Sequence, residues 1–312
     1  MIEIKGLVKR YGSLTAVDGL SLSIGPGEIF GFIGPNGAGK STTMRILACL
    51  TRPDAGQATV CGHDVRTRGD DIRRVLGYMP DVLGVYDDLT VDEYLQFFAA
   101  AFDIPRRNGR RRAVVDSVLE LTDLGLKRDA MVDSLSRGMQ QRLGLARVLL
   151  HEPKVLLLDE PASGLDPRAR IEIRSLITEL GRMGKAVMVS SHILTELGEM
   201  STSIGIIERG RLLYAGKLDE ALARAAGNER ILLRLENPEH LSAAGRALAE
   251  DHRIARVGPE EDGLMIELAP GQHGHHFIIE RLVSAGVRIA SFAPQPIKLE
   301  DAFLRLTKGA LQ

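Results

Sequence analysis

Apolar positions recur along this chain with a changing period, and the changes divide it. Over residues 1–24 they alternate with polar ones (IEI, then LSLSI) around the turn signals Tyr11-Gly12 and Gly25-Pro26-Gly27. That period-two rhythm predicts an antiparallel sheet with one solvated face. Residues 57–65 (QATVCGHDV) continue it after a Pro53-Asp54-Ala55-Gly56 turn. Between them, residues 28–33 (EIFGFI) form the continuous apolar run of a buried strand, and residues 42–50 carry Met44, Ile46, Leu47 and Leu50 at helical spacing. From about residue 90 to 150 the period is helical, with Tyr94, Leu95, Phe97 and Phe98 in one stretch and Val114, Val115, Val118, Leu119 and Leu121 in the next. Apolar strands return at 155–158, 186–189 and 204–207, separated by helical segments. This alternation predicts a mostly parallel sheet with crossover helices, and a ligand site at the carboxyl ends of its strands. From residue 228 the rhythm becomes strand 231–235, helix 238–249, strands 254–257 and 264–268, helix 276–285 and strand 287–292. That βαββαβ order matches a split-βαβ, ferredoxin-like unit.

Composition adds little to this pattern. With 312 residues and 44% apolar content the chain is long enough for two cores. Forty basic residues balance 41 acidic ones, which gives no nucleic-acid or membrane footprint. No window approaches the roughly 20 apolar residues of a membrane span, and MIEIKGLVKR begins as a strand rather than a secretion signal. The expectation is a soluble cytosolic chain. Cys49 and Cys61 have no partners at metal-ligand spacing and read as small buried side chains. The arginine run at residues 106–112 (RRNGRRR) reads first as a solvated helix end, with a nucleic-acid or membrane contact as alternatives. His273, His275 and His276 sit among glycines with no acidic or thiol ligands nearby, which favours a solvated loop over a metal site.

The candidate chemistry centres on residues 34–42, GPNGAGKST, which fit G-x-x-x-x-G-K-[ST] at every fixed position. They lie where the 28–33 strand turns into the 42–50 helix, the setting a phosphate-binding loop requires. Gly37 and Gly39 let successive N–H groups point inward at an anion, and the helix start adds partial positive charge. Lys40 is placed to bridge the β and γ phosphates and Ser41 to ligand magnesium. A nucleoside triphosphate is the expected ligand. Residues 155–161 (VLLLDEP) put Asp159 and Glu160 at a strand end, where Asp159 would hold magnesium through water and Glu160 would orient or deprotonate the attacking water. His192 follows the next apolar strand and emerges on the same sheet edge. It is placed to hydrogen-bond the γ-phosphate, although a lone histidine is more often structural. Residues 135–150 (LSRGMQQRLGLARVLL) are a serine followed by an amphipathic helix, a second anion-binding helix start.

This order of motifs resembles the ATP-binding cassette (ABC) ATPases, over roughly residues 1–220. The family's LSGGQ signature is written here Leu135-Ser136-Arg137-Gly138-Met139, and Ser163-Gly164-Leu165-Asp166 resembles its D-loop. Tyr11 stands where the family stacks a ring on adenine. The resemblance implies an α/β fold: a P-loop NTPase ABC cassette at 1–220 with a mixed core sheet, an antiparallel β subdomain and a helical subdomain at about 85–150. The small α+β domain at 228–312 follows it. ATP and Mg2+ are the implied ligands, with Val17, Asn36, Gly37, Ala38, Gly39, Lys40, Ser41 and Thr42 around the nucleotide. Ser41, Asp159 and Asp81 are implied around the metal, and Glu160, His192 and Lys40 in catalysis. Two copies would associate head to tail, Ser136 and Gly138 of one touching the γ-phosphate held by the other and Asp166 coupling the sites. ATP binding would close the pair and hydrolysis release it.

Two positions depart from the family pattern. Asp81 stands where glutamine is usual, so it keeps metal-binding capacity and loses an amide donor. Arg137 and Met139 replace glycine and glutamine in the signature. The ending IKLEDAFLRLTKG at 297–309 resembles the ATPase subunits of ABC-2-type exporters, including those of the daunorubicin-resistance kind. Such subunits pair with a separate integral membrane permease, which implies a chain held on the inner face of the cell membrane and exporting a drug, lipid or polysaccharide-like substrate. The segment after Asp81 would then receive the permease. A soluble ABC ATPase acting on nucleic acid or ribosomes is the alternative. It would usually show two cassettes, a long coiled coil or zinc-binding cysteines, none of which this sequence has. A P-loop kinase would leave the signature and D-loop segments without a role.

Overall fold

The structure is a computed structural model, and it describes residues 1–84, 86, 88–225, 229–260, 263–269, 271 and 274–295, excepting the side chains of 222–225. Asn228, His273 and the 297–309 ending lie outside the described residues. Two compact units emerge, Met1–Asp219 and a second beginning at Glu220.

In the first unit, β1 (Ile2–Tyr11) and β2 (Leu14–Ile24) form an antiparallel pair, β3 (Ile29–Ile33) runs into α1 (Lys40–Leu47), and β4 (Ala55–Val60) and β5 (His63–Asp64) follow. Of these strands, β1, β2, β4 and β5 give a four-stranded sheet of order β2-β1-β4-β5. Its alternation places Ile2, Ile4, Leu20, Leu22 and Val60 in one buried cluster. Next come α2 (Gly69–Val75), β6 (Leu76–Met79), and the helices α3 (Val91–Ala101), α4 (Arg110–Leu121) and α5 (Arg137–Leu149), which pack on one another. Thr90 and Glu93 start α3 with a reciprocal capping box. The rest of the unit is β7 (Val155–Asp159), α6 (Pro167–Arg182), β8 (Ala186–Ser191), α7 (Leu194–Met200), β9 (Ser203–Glu208), β10 (Arg211–Lys217) and α8 (Leu218–Ala225), which crosses into the second unit.

The second sheet has the order β10-β9-β3-β8-β7-β6. It is parallel from β9 to β6, and only β10 runs antiparallel. β3, β7 and β8 are buried at every residue. That is why their sequences are unbroken apolar runs rather than alternating ones. In β3, β7 and β8 this leaves only the carboxyl ends free to meet a ligand.

Several expectations need correction. The 42–50 helix begins at Lys40 and ends at Leu47, so Leu50 falls beyond it and is 60% exposed. Cys49 takes φ 59°, a left-handed conformation that ends the helix. The strand expected at 57–65 breaks into β4 and β5 around a Cys61-Gly62 turn with both φ positive. Four of the arginines in the 106–112 run are exposed, and the fifth, Arg111, donates to the Ile104 carbonyl.

The second unit contains β11 (Arg230–Leu235), α9 (Leu241–Ala249), β12 (Ile254–Glu260), β13 (Gly263–Leu268), α10 (His276–Ser284) and β14 (Ile289–Gln295). Its sheet has the order β12-β13-β11-β14 with every neighbouring pair antiparallel, a split-βαβ arrangement. The two helices cover one face, burying Ile231, Leu233, Leu248, Ile266, Ile278 and Leu282 together.

Candidate nucleotide site

At the carboxyl end of β3 the chain turns through Gly34, Gly37 and Gly39 into α1. Gly37 and Gly39 take φ 80° and 110°, and a Cβ at Gly39 would collide with the Ala16 carbonyl. Gly34 is as demanding, because a side chain there would meet the Ile207 carbonyl. The loop is therefore pressed against β2 and β9, and only glycine fits at these contacts. Lys40, 6% exposed, folds back over the loop and donates from Nζ to the Gly34 carbonyl at 2.6 Å and the Pro35 carbonyl at 3.4 Å. Ala38 is buried, whereas Asn36, Gly37 and Ser41 are exposed and Thr42 is half-buried.

β7 and β8 deliver the carboxylates to the same edge. Asp159 is buried and its Oδ1 accepts from the Ser190 hydroxyl at 2.6 Å. Glu160 takes φ 50°, an uncommon conformation for a non-glycine residue. Its N–H is held by both the Oγ and the carbonyl of Ser190, at 3.0 and 3.2 Å. Ser190 thus fixes both acids, a role the sequence did not reveal, although the serine lies inside a segment already singled out. Oε2 of Glu160 lies 2.8 Å from His192 Nδ1. Oε1 is buried without a hydrogen bond and sits 3.6 Å from Lys40 Nζ. Lys40, Glu160 and His192, which are far apart in sequence, form one contiguous set.

Asp81 belongs to the same field. Burial, then Asp159 and Glu160, push its carboxyl above the ordinary aspartate range, while Arg137 and His192 oppose them. Three carboxylates crowd one edge, an arrangement suited to a cation. Among the described residues, however, no group of three His, Cys, Asp or Glu could hold a metal alone. A magnesium ion here would complete its octahedron with triphosphate oxygens and water, its usual habit. The residues present fit a nucleotide-borne Mg2+.

The remaining expected residues lie at varied places. Tyr11, at the end of β1, is 46% exposed, with Lys9 Nζ 5.2 Å from its ring centroid. Val17 is the correction: it is fully buried in the core and presents no surface to a nucleotide. Ser136 is exposed and caps α5, accepting from the Met139 N–H at 3.4 Å. Gly138 lets α5 approach α6, since a Cβ there would lie 2.9 Å from Ala169 Cβ. Asp166 caps α6 by accepting from the Ala169 N–H at 3.0 Å. The Arg137 guanidinium lies directly against Gly164, where a side chain would collide with it. Among the described residues no hydrogen bond or ion pair joins Leu135–Met139 to the phosphate loop, so one copy does not bring the two anion-binding helix starts together.

A glycine loop feeding a helix, a buried lysine and two strand-end acids beside a histidine define a P-loop nucleoside triphosphatase of the ATP-binding cassette type. The family described as "ABC transporter" matches residues 17–163. Nod factor export ATP-binding protein I of Ralstonia nicotianae is 35% identical over 307 residues, covering 98% of this chain and 94% of that protein. The dimeric structure of a bacterial ABC transporter cassette is similar at TM-score 0.64 and 26% identity, covering 70% of this chain and 99% of that one. A post-hydrolysis dimer of that cassette with ADP and Pi matches at TM-score 0.63 and 25% identity, covering 70% and 99%. The chain belongs to the ABC transporter family. It is an ATP-binding, ATP-hydrolysing subunit that energises a separate membrane permease. No helix among the described residues is long and apolar enough to cross a membrane.

Proposed function

We propose that two copies of this chain pair head to tail at the inner face of the cell membrane and drive an exporter permease through a cycle of ATP-closed and nucleotide-released states. The similar proteins named for export and the two dimeric cassettes support this reading. The substrate falls in the drug, lipid or polysaccharide-like class. In each site Lys40 binds the β and γ phosphates, and Tyr11 lies beneath the adenine. Glu160 accepts the proton of the attacking water at one carboxylate oxygen, while His192 holds the other and so fixes the carboxylate's aim. Ser41, Asp159 and Asp81 would hold Mg2+, which neutralises phosphate charge. Ser136 and Gly138 of the second copy cap the γ-phosphate, and Asp166 links the two sites.

The permease docks beside Asp81. A groove of about 830 Å³, which reaches Tyr78, has Phe98 and Phe102 among its walls and is lined by both bases (Arg73, Arg110) and acids (Asp70, Glu152). Its apolar wall suits a short amphipathic helix with an apolar face. The second unit, whose described residues carry no catalytic constellation, stabilises or regulates the pair.

The observation that carries the reading is Glu160, held in a left-handed backbone conformation between Lys40 and His192. Backbone strain of this kind persists at functional sites because the surroundings impose it. Glu160→Gln is expected to bind ATP like the parent, to accumulate as an ATP-bound dimer in size-exclusion chromatography, and to hydrolyse roughly 10²–10⁴-fold more slowly. Turnover at the parental rate shows the base assignment to be wrong.

A further inference from the structure

Glu196 lies on α7, four residues after His192, and is 9% exposed. Its Oε1 makes no hydrogen bond. Its cation is Arg170 on α6, with Nε 3.5 Å from Oε1. The same Nε donates to the Leu165 carbonyl at 2.9 Å, inside the loop that ends in Asp166. One guanidinium therefore touches two segments that reach the nucleotide edge separately: the loop after Glu160 and the helix after His192. Burial pushes the Glu196 carboxyl up, against the pull of Arg170, and Glu160 and His192 also act on it electrostatically.

A plain staple between α6 and α7 does not need this pair. Arg174 and Glu199, one turn further along, already join the two helices, with an acid far more exposed than Glu196. A half-solvated pair costs little desolvation, whereas burying Glu196 with an unsatisfied oxygen is expensive. The pair also borders a cavity of about 10 Å³, roughly the space of one water, lined by Arg170, Ser191, Glu196 and Met200 among others. An arrangement that is costly and in contact with both loops is suited to transmitting position.

We propose that Arg170 is a positioning residue for hydrolysis: it ties the Leu165 carbonyl to Glu196, so that the loop facing the second copy and the Glu160–His192 pair keep a fixed relation. The proposal rests on the reading of Glu160 and Asp166 given above. When His192 shifts as the γ-phosphate leaves, α7 carries Glu196 with it, and Arg170 passes the displacement to Leu165 and Asp166. Coupling of this kind is established by a mutant cycle, not by adjacency.

The test uses the full-length chain, with steady-state ATP hydrolysis and titration of a fluorescent ATP analogue. Arg170→Met removes both contacts. Arg170→Lys keeps a cation for Glu196 but cannot also hold the Leu165 carbonyl from a planar fork. Glu196→Gln leaves Arg170 without its anion. A displacement of about 1 Å at a site of this kind costs up to about 10²-fold, so kcat is expected to fall roughly tenfold or more in all three. KM and analogue affinity should stay within about twofold, since Lys40 is untouched. The Arg170→Met/Glu196→Gln double variant should lose no more than Arg170→Met alone. If Arg170→Met fails to fold, Arg170→Lys and Glu196→Gln carry the test. Parental kcat in Arg170→Lys, additive losses, or a loss confined to KM overturns the proposal. Glu160→Gln runs in the same assay: parental turnover there sinks the underlying reading, whereas a dead Glu160→Gln beside a normal Arg170→Lys sinks this inference alone.

Discussion

Lys40→Met tests the centre of the site. The lysine is almost fully buried, and its ammonium satisfies two loop carbonyls while providing the only cation paired with Glu160 Oε1 among the described residues. Methionine keeps the stem's volume and removes every polar contact. The Gly34 carbonyl loses a charge-assisted bond of about 1.5–3 kcal/mol, and the Glu160 oxygen is left without its cation. Relief of the buried ammonium's own desolvation offsets part of this. A net destabilisation of about 1–2 kcal/mol follows, lowering Tm by roughly 2–8 °C. The effect on ligand is larger, because in the proposed site the same ammonium meets two phosphates. Losing about 2–4 kcal/mol of charge-assisted bonding raises the Kd for a fluorescent ATP analogue roughly 30- to 1,000-fold. Differential scanning fluorimetry and the titration read the two effects separately. Affinity within threefold of the parent, or a rise in Tm without nucleotide, refutes the placement of Lys40.

Gly39→Ala, with φ 110° and a Cβ that would collide with the Ala16 carbonyl, should weaken analogue binding at least tenfold and lower Tm, by the same two assays. Asp81 titrates in the opposite sense to a salt-bridged acid: its folded carboxyl is raised above 3.8, so its contribution to stability falls as pH rises from about 4 and stays unfavourable at neutral pH. Asp81→Asn should therefore raise Tm by about 1–2 °C at pH 7 and less at pH 4, a small effect because the side chain is solvent-exposed; an equal gain at both pH values contradicts it. Arg137→Gly should slow hydrolysis, and Asp81→Gln in the same chain should recover at least half the loss; equal losses in both backgrounds count against a shared role.

How much was legible depended on whether the determinant was local. The phosphate loop could be read because strand, glycines and helix start are contiguous, and β3, β7 and β8 because burial on both faces makes them unbroken apolar runs. β10 was missed although Arg209 and Gly210, with φ 47° and 81°, form a two-residue hairpin turn that aligns it with β9. β6 has only four residues, and its burial depends on β7 and α5, both distant in sequence. Tertiary context also governs Val17, which falls out of phase with the alternation of Leu20, Leu22 and Ile24 at a register shift in β2 and is buried in the core all the same. The site itself was readable as residue types but not as contacts. Nothing in the sequence says that Ser190 fixes both acids, or that Gly138 and Asp166 serve packing and capping within their own copy.

The two departures from the family pattern show what contacts add. Asp81 replaces glutamine before α3, and Arg137 replaces glycine at the start of α5, 56 positions later; read along the chain they are unrelated losses. In the fold both face the strand-end carboxylates. An aspartate at position 81 adds a third negative charge beside Asp159 and Glu160, and burial together with those two acids raises the pKa of its carboxyl. Arg137 adds a positive charge that acts on that same carboxyl while its guanidinium lies flat on Gly164, the one residue of that loop with no side chain in the way. The added anion and the added cation offset each other, so net charge near the phosphates changes little while the neutral amide is lost. The signature segment and the Asp81 loop are thereby joined electrostatically within one copy, on the face where Ser136 is exposed.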